Sequence, residues 1–324
     1  MDVDTYRTPA LDPPAGVEPK FRDYYPVKAS QIALTTVLLT LSTGGVLARS
    51  YARAQVLKQF DFSDGALILA LLMFATHTTV KLVANTYGQG YHQWDIDLVA
   101  IGRFLLMQNV VETLYCPTML LAKYTVLRQI ELIFYKHQHE KIASRLILGL
   151  IWANLVFYIT IFFAFLCACV PRAKISNPSL HGHCINTQAS ILATSVINVV
   201  SDFTILTIPL VAVWQLQLRP RAKLGVSIVF AVGIFATIAC IVRLYYGVEL
   251  VRSEDSTWLI ENVSIWASIE ITTVILVACF PLFPLLYRQM LNRGTDSLAF
   301  QVDRRLWKQQ EKVNPLATTV DVNI

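Results

Sequence analysis

Seven apolar stretches divide this chain of 324 residues, at 31–48, 65–84, 110–134, 146–170, 189–214, 224–246 and 263–286. Each is close to the roughly 20 residues that a helix needs to cross about 30 Å of hydrocarbon. Lipid offers no partner to an unpaired backbone group, so each stretch reads as a helix; a closed barrel would show alternation in segments of about ten residues. The expected fold is therefore all-α, a polytopic membrane protein built as a seven-transmembrane-helix bundle, with its two termini on opposite sides.

Composition agrees. With 55% hydrophobic and 15% charged residues, the chain excludes a water-soluble enzyme, a disulfide-rich secreted scaffold and a disordered protein. The lipid bilayer is the first expected partner. The net charge of +5 arises from basic clusters between apolar stretches, which carry topology information and give no nucleic-acid footprint. Residues 1–30 hold Pro9, Pro13, Pro14, Pro19 and Pro26 among alternating acids and bases. They lack the order of a cleavable signal and read as a polar tail. The membrane domain follows over 31–286. Residues 287–324 form a basic tail with Arg288, Arg293, Arg304, Arg305, Lys308 and Lys312, facing solvent or anionic lipid.

Orientation follows from Lys and Arg in the connections. One side carries fifteen, including Arg49, Arg53, Lys58, Lys136, Lys141, Arg145, Arg219, Arg221 and Lys223, against eight on the other. The excess places the N-terminus outside and the C-terminus in the cytoplasm, in the plasma membrane or an endomembrane. Trp94, Trp214 and Trp258 near helix ends suit an aromatic belt. The apolar run 98–107, interrupted by Arg103, is too short to span and is expected to be an interfacial turn before the third helix.

Of six cysteines, Cys116, Cys167, Cys240 and Cys279 sit in apolar segments and read as small packed side chains. Cys169 and Cys184 lie on the expected outer side, where thiols oxidise, and a bridge between them would close the second outer loop. Cys167 is the alternative partner, and no bridge a third reading. His181 and His183 flank Cys184 without an evident fourth ligand, so no metal is expected. Asn262-Val263-Ser264 is a possible glycosylation sequon against the seventh helix.

The sharpest chemical signal is the set of ionisable residues at membrane depth: His77, Lys81, Glu112, Lys123, Arg128, Asp202, Arg243 and Glu270. A charge left at the bilayer centre costs about 2.5–3.5 kcal/mol on insertion scales, so most must face the bundle interior. Ser195, Asn198 and Asp202 share one helix face, as do Trp266, Glu270 and Thr273, and His77, Lys81 and Asn85. Counting from the helix ends puts Lys123 and Asp202 near the midplane as an ion pair, with Lys81, Glu112, Arg243 and Glu270 further out. An outward-opening polar pocket for a small lipophilic molecule then involves His77, Lys81, Glu112, Lys123, Asn198, Asp202, Arg243, Trp266 and Glu270. The bland alternative is that these charges only pair and fix helix register. For Arg128 and Arg243 it is snorkelling to the interfaces.

The same positions carry a resemblance to a known family. Arg49, Arg53, Phe60 and Asp64; Tyr87, Gly88, Gly90, His92 and Trp94; Lys123, Thr125 and Leu127; Cys169, Pro171, Cys184, Asn198, Asp202, Pro209, Trp214, Leu216, Lys223, Gly233, Arg243, Asp255, Trp266, Glu270, Pro281 and Pro284 follow one another along 49–286. In this the chain resembles the fungal rhodopsin-domain family of seven-helix integral membrane proteins. That family includes Pth-type receptor-like proteins and membrane proteins of secondary-metabolite clusters such as the satratoxin cluster. Ser63-Asp64 stands where the family usually has an acidic pair, and the Arg usual near the end of helix three is absent. The eight-cysteine module of some receptor-like members has no counterpart in the N-terminal tail. The resemblance implies a receptor-like or accessory role.

Retinal needs a lysine amine, placed in helix seven of microbial rhodopsins, and 263–286 holds none. No cofactor is expected, retinal included, and no phosphate-binding loop, nucleophile elbow or HExxH occurs. Tyr87 to His92 reads as a turn. Two function classes remain. In one, the pocket binds a lipophilic molecule and helices kinked at Pro209, Pro281 and Pro284 transmit the event inward. In the other, a membrane-embedded terpenoid cyclase or isomerase uses Glu270 or Asp202 as a buried catalytic acid, with Trp266, Tyr245 and Tyr246 stabilising a cation. A transporter is a weaker third, without a detectable inverted repeat.

Overall fold

The computed structural model describes residues 8–21, 25–132, 141–177, 180–215, 220–286 and 289; side chains of 141–143, 209, 211–215 and 220–229 are outside that description. Residues 133–140, residues 287–324 apart from residue 289, and the side chains of Pro209, Trp214, Arg221 and Lys223 therefore fall outside the described residues. Helices run over Ala29–Tyr51 (α1), Phe62–Asn85 (α2), Leu98–Ile130 (α3), Lys141–Leu166 (α4), Thr187–Gln215 (α5), Pro220–Arg252 (α6) and Ser256–Cys279 (α7). Among the described residues, seven helices are long and apolar enough to cross a membrane. Two short strands, Cys169–Val170 (β1) and His183–Cys184 (β2), pair antiparallel between α4 and α5. Residues 1–281 form one compact unit; from Leu282 the chain counts as a second, described over a single helical turn that contains Pro284.

Local chemistry sets the boundaries. Asp61 caps α2 in a reciprocal box with Asp64, each side chain accepting from the other end's backbone N–H. Asp97 caps α3, its carboxylate accepting from Ala100 N at 2.6 Å. This cap overturns the interfacial turn expected at 98–107, which is the first part of α3. Arg103 does not interrupt the helix because it points outward, its guanidinium 5.8 Å from the Tyr87 ring centre. Pro117 stands inside α3 and removes the hydrogen bond to the Thr113 carbonyl, a kink signal that hydropathy alone does not register.

Hydrophobic side chains divide between lipid and core. On α4, Leu146, Trp152, Val156, Ile159 and Phe163 are exposed, whereas Tyr158 and Phe165 are buried. A mostly apolar helix with such an outer face suits acyl chains. Small residues allow close approaches: a Cβ on Gly102 would fall 2.3 Å from the Ser176 carbonyl, and this is how the loop after β1 reaches α3.

At one end, the disulfide end, four segments interlock. Cys169 and Cys184 are bonded and close the loop between β1 and β2. The segment before α1 is docked there rather than free: Pro9 bridges Asp97, and the buried Tyr25 hydroxyl donates to the Asp95 carbonyl at 2.5 Å. His92 is stacked between Trp94 and Trp258, with ring centres 4.4 and 4.6 Å away, and bonds Asp255 at 2.6 Å. Cys167, expected to be packed, is exposed in the turn after α4; Cys116, Cys240 and Cys279 are buried.

At the opposite end, Arg49 joins four helices. Its Nε donates to Asp64 Oδ1 at 2.9 Å, and its Nη1 donates to Gln129 and to the Ala278 carbonyl, linking α1 to α2, α3 and α7. Arg53 lies 3.7 Å from the same Asp64 oxygen. Asp64→Ala should lower stability by about 3–5 kcal/mol, because it leaves Arg49 buried without its counter-charge. Arg49→Met should cost less, since Arg53 remains beside Asp64. Thermal unfolding of the two variants in detergent reads this order.

Candidate functional site

One face of α3 turns inward at every turn: Glu112, Tyr115, Cys116, Met119, Lys123, Val126 and Leu127 are all buried. The three- and four-residue steps between them are those of one helical stripe. Asn198 and Asp202 on α5, Cys240 and Arg243 on α6, and Glu270 on α7 face the same interior. Arg243 and Glu270 are 0% exposed and Asp202 is 7% exposed, so none of them reaches solvent in this conformation. Arg243 therefore does not snorkel. Arg128 is part-buried and bonds Glu131 one turn on.

The polar groups form a continuous network. Lys123 Nζ lies 2.7 Å from Asp202 Oδ1 and donates to Asn198 Oδ1 at 3.2 Å. The Tyr158 hydroxyl, from α4, also donates to Asn198. Asn198 donates to the Tyr115 hydroxyl at 2.5 Å, and that hydroxyl donates to Glu270 Oε1 at 2.9 Å. Arg243 Nη1 reaches Tyr115 Oη at 2.6 Å and Glu270 Oε2 at 3.2 Å, its guanidinium lying 4.2 Å from the Tyr115 ring centre. Five helices, α3 to α7, thus contribute to one hydrogen-bonded chain. Asp202 Oδ2, Arg243 Nε and Arg243 Nη2 remain without a hydrogen-bond partner.

A second, smaller cluster holds Lys81. Its Nζ is 3.4 Å from Glu261, and Asn85 is wedged between Gln31 and Glu261. His77 is buried one turn before Lys81, its ring 6.3 Å from that of Phe74. His77 and Lys81 thus belong to this α2–α7 cluster, while Lys123, Asn198, Asp202, Arg243 and Glu270 meet in the network; Glu112 bonds Gln108 beside it. Trp266 is half-buried, with no hydrogen bond or ring contact to either group among the described residues. Asn262 lies within the first two turns of α7.

Sequence reasoning missed Glu261 because it began helix seven at residue 263, whereas α7 begins at Ser256. It also missed Tyr115 and Tyr158, whose hydroxyls knit the charges together. Their signal was present: Tyr115 is three residues from Glu112 on the same stripe. One ligand atom each from Asp202, Cys240 and Glu270 falls within 4.8 Å of the others, a spacing that would suit a metal ion. The set does not fit one, because Lys123 and Arg243 already occupy the two carboxylates and would repel an added cation.

A seven-helix bundle with apolar flanks and a paired polar interior defines an integral, multi-pass membrane protein. The chain belongs to the fungal rhodopsin domain family, whose pattern it matches over residues 48–289. It is 34% identical over 224 residues to a SAT4 family membrane protein of Emericella nidulans, a region covering 69% of this chain and 56% of that protein. The chain thus spans about half the length of that curated relative. It is 25% identical to the fugralins biosynthesis cluster protein 2 of Gibberella zeae, over 87% of this chain and 71% of that protein. It is 26% identical to the polyenoic acids biosynthesis gene cluster protein Ba17b of Metarhizium anisopliae, over 85% and 77% respectively. No solved structure matches the chain.

The Lys123–Asp202 pair gives a direct energetic expectation. Asp202→Asn leaves an ammonium buried against Asn198 alone and should destabilise by about 3–5 kcal/mol, whereas Lys123→Met combined with Asp202→Asn should recover most of that loss. Thermal unfolding of single and double variants in nanodiscs checks it. Equal losses in both would show that the stranded ammonium is not the source of the penalty.

Proposed function

We propose that this protein is a receptor-like or accessory membrane component whose polar interior takes a small lipophilic molecule connected with secondary metabolism. The observation that carries the reading is the network of Tyr115, Lys123, Asn198, Asp202, Arg243 and Glu270. It holds unpartnered donor atoms on Arg243 and an unpartnered acceptor on Asp202, groups with hydrogen-bonding capacity left for a bound molecule. Relatives whose names place them in biosynthetic clusters, for fugralins and for polyenoic acids, support the metabolic connection. The cyclase alternative finds less support: Glu270 and Asp202 are each engaged in an ion pair, with Arg243 and Lys123, and neither stands free to meet a substrate.

In the orientation proposed here the disulfide end faces the exterior or a lumen, with the C-terminus in the cytoplasm. The Cys169–Cys184 bond supports this, because disulfides persist in oxidising compartments, and so does the Lys and Arg asymmetry of the connections. Cys167 is a free, exposed thiol at that end. A membrane-impermeant maleimide added to intact cells should label it, with labelling lost in Cys167→Ser. Labelling only after permeabilisation would reverse the orientation.

The binding reading is tested by thermal unfolding in nanodiscs with polyenoic acids and oxygenated sesquiterpenes as probes. A ligand at a hundred times its dissociation constant stabilises by about 2.7 kcal/mol. One probe class should raise the unfolding midpoint saturably, and Tyr115→Phe should weaken the effect. No stabilisation across the panel would remove the binding role, and conversion of a probe to product would replace it with the enzyme reading.

A further inference from the structure

Charge accounting in the interior leaves one carboxyl over. Beyond the Arg49–Asp64 pair, the buried ionisable groups among the described residues are the carboxyls of Glu112, Asp202, Glu261 and Glu270, the cations Lys81, Lys123 and Arg243, and His77. Each cation already has an acidic partner: Lys81 with Glu261, Lys123 with Asp202 and Arg243 with Glu270. Glu112 has none; no described Lys, Arg or His nitrogen lies within ion-pairing distance of it. Its Oε1 accepts from the Gln108 amide at 2.9 Å, its Oε2 has no partner, and it is 3% exposed.

We infer that Glu112 is the proton-carrying group of the bundle interior, a neutral carboxylic acid in the resting protein. An ionised carboxylate there would be a buried charge with a single neutral donor, an arrangement proteins avoid by taking up a proton. The neighbouring groups do not supply the missing positive charge. Arg243 acts on it electrostatically without pairing with it, its Nη1 being committed to Tyr115 and Glu270 and its guanidinium lying against the Tyr115 ring. On α2, His77 has Lys81 and Arg243 as its charged neighbours, so a proton on its ring would add a like charge to both. On α3 itself, Cys116 and Tyr115 are neutral donors, Cys116 bonding the Glu112 backbone carbonyl at 3.4 Å. Lys123, paired with Asp202 of α5, stands eleven positions along α3 from Glu112, about 16 Å by helical rise, and the Tyr158 hydroxyl of α4 is spent on Asn198.

The inference changes which group can act as an acid. Glu270 and Asp202 are each engaged by a cation, whereas Glu112 has a proton to give. The free Nε and Nη2 of Arg243 could donate to the carboxylate left behind. It also specifies a ligand class, a step that rests on the binding reading above: a protonated carboxyl is a donor, so the complementary molecule is neutral and presents an acceptor oxygen, as in a carbonyl, epoxide or hydroxyl group. An ammonium ligand would suit only an ionised Glu112.

Infrared spectroscopy of the full chain in nanodiscs tests the proton without any ligand. The carbonyl stretch of a buried protonated carboxylic acid lies apart from the amide band and moves on exchange into D2O. The wild type should show this band at neutral pH, Glu112→Gln should abolish it, and Glu112→Asp should shift it. Absence of the band in wild type, or its persistence in a folded Glu112→Gln protein, would overturn the assignment. If a metal cation neutralises Glu112 instead, sodium chloride will raise the unfolding midpoint of wild type above that in N-methylglucamine chloride, with no difference in Glu112→Gln; that outcome also overturns it. Failure of the probe-binding experiment above would leave the infrared result standing.

Discussion

A charge in hydrocarbon persists only beside an opposite charge, and this requirement fixes much of how the helices of this protein sit against one another. Lys81 holds α2 to α7 through Glu261, Lys123 holds α3 to α5 through Asp202, and Arg243 holds α6 to α7 through Glu270. Lipid tails are as apolar as leucine, so apolar packing alone gives little preference for one rotation of a membrane helix over another. A misrotated helix would present these groups to acyl chains, at a cost of several kcal/mol each. The tyrosines reinforce the choice. Tyr115 and Tyr158 are aromatic toward the core yet place hydroxyls between the charges, satisfying oxygen and nitrogen atoms that neither lipid nor aliphatic side chains could satisfy.

The two ends of the bundle are secured by different means. At the disulfide end the constraint is covalent and aromatic: the Cys169–Cys184 loop lies over Gly102, and His92 is clasped by Trp94 and Trp258. At the other end it is electrostatic, with Arg49 serving α1, α2, α3 and α7 at once. The interior network lies on the helix lengths between these ends, where α3 also carries Pro117 and lacks one backbone hydrogen bond.

The sequence displayed the architecture more clearly than the site. Twenty-residue apolar runs are unambiguous, so seven helices could be counted without a structure. Their ends could not, because capping by Asp61 and Asp97 is a local hydrogen-bond event that hydropathy averages away. That blind spot had a chemical consequence: starting helix seven too late hid Glu261 and left Lys81 without its partner. Charges at membrane depth announced an inward face by helical periodicity, and the faces of α2, α5 and α7 were legible for that reason. Pairing was harder to read. Periodicity says which side of a helix turns inward but not its height against a neighbour, so Arg243 could be taken for a snorkelling residue when it is fully enclosed beside Glu270. Tyrosine hydroxyls carry no hydropathy signature, so Tyr115 and Tyr158 were invisible on that scale, although Tyr115 stands on the same helical stripe as Glu112.

The distribution of polar ties also determines where a bound molecule can exert leverage. Among the described residues, α4, α5 and α6 contribute nothing to the Arg49 cluster. Their polar links to the rest of the bundle include Tyr158, Asn198, Asp202 and Arg243 in the interior, besides the Phe165 carbonyl that accepts from Asn109 and the Ser144 hydroxyl that donates to Glu131. A ligand shifts an equilibrium only by its differential affinity for two states, and interactions with groups that hold one set of helices to another are where such a difference arises. A molecule that exchanged hydrogen bonds with Asn198, Arg243 or Tyr115 would act on those joints, while α1, α2, α3 and α7 stayed clamped through Arg49. Because buried ion pairs are either made or broken, with no gradual intermediate of comparable energy, the response would be a switch between discrete arrangements and not a continuous deformation.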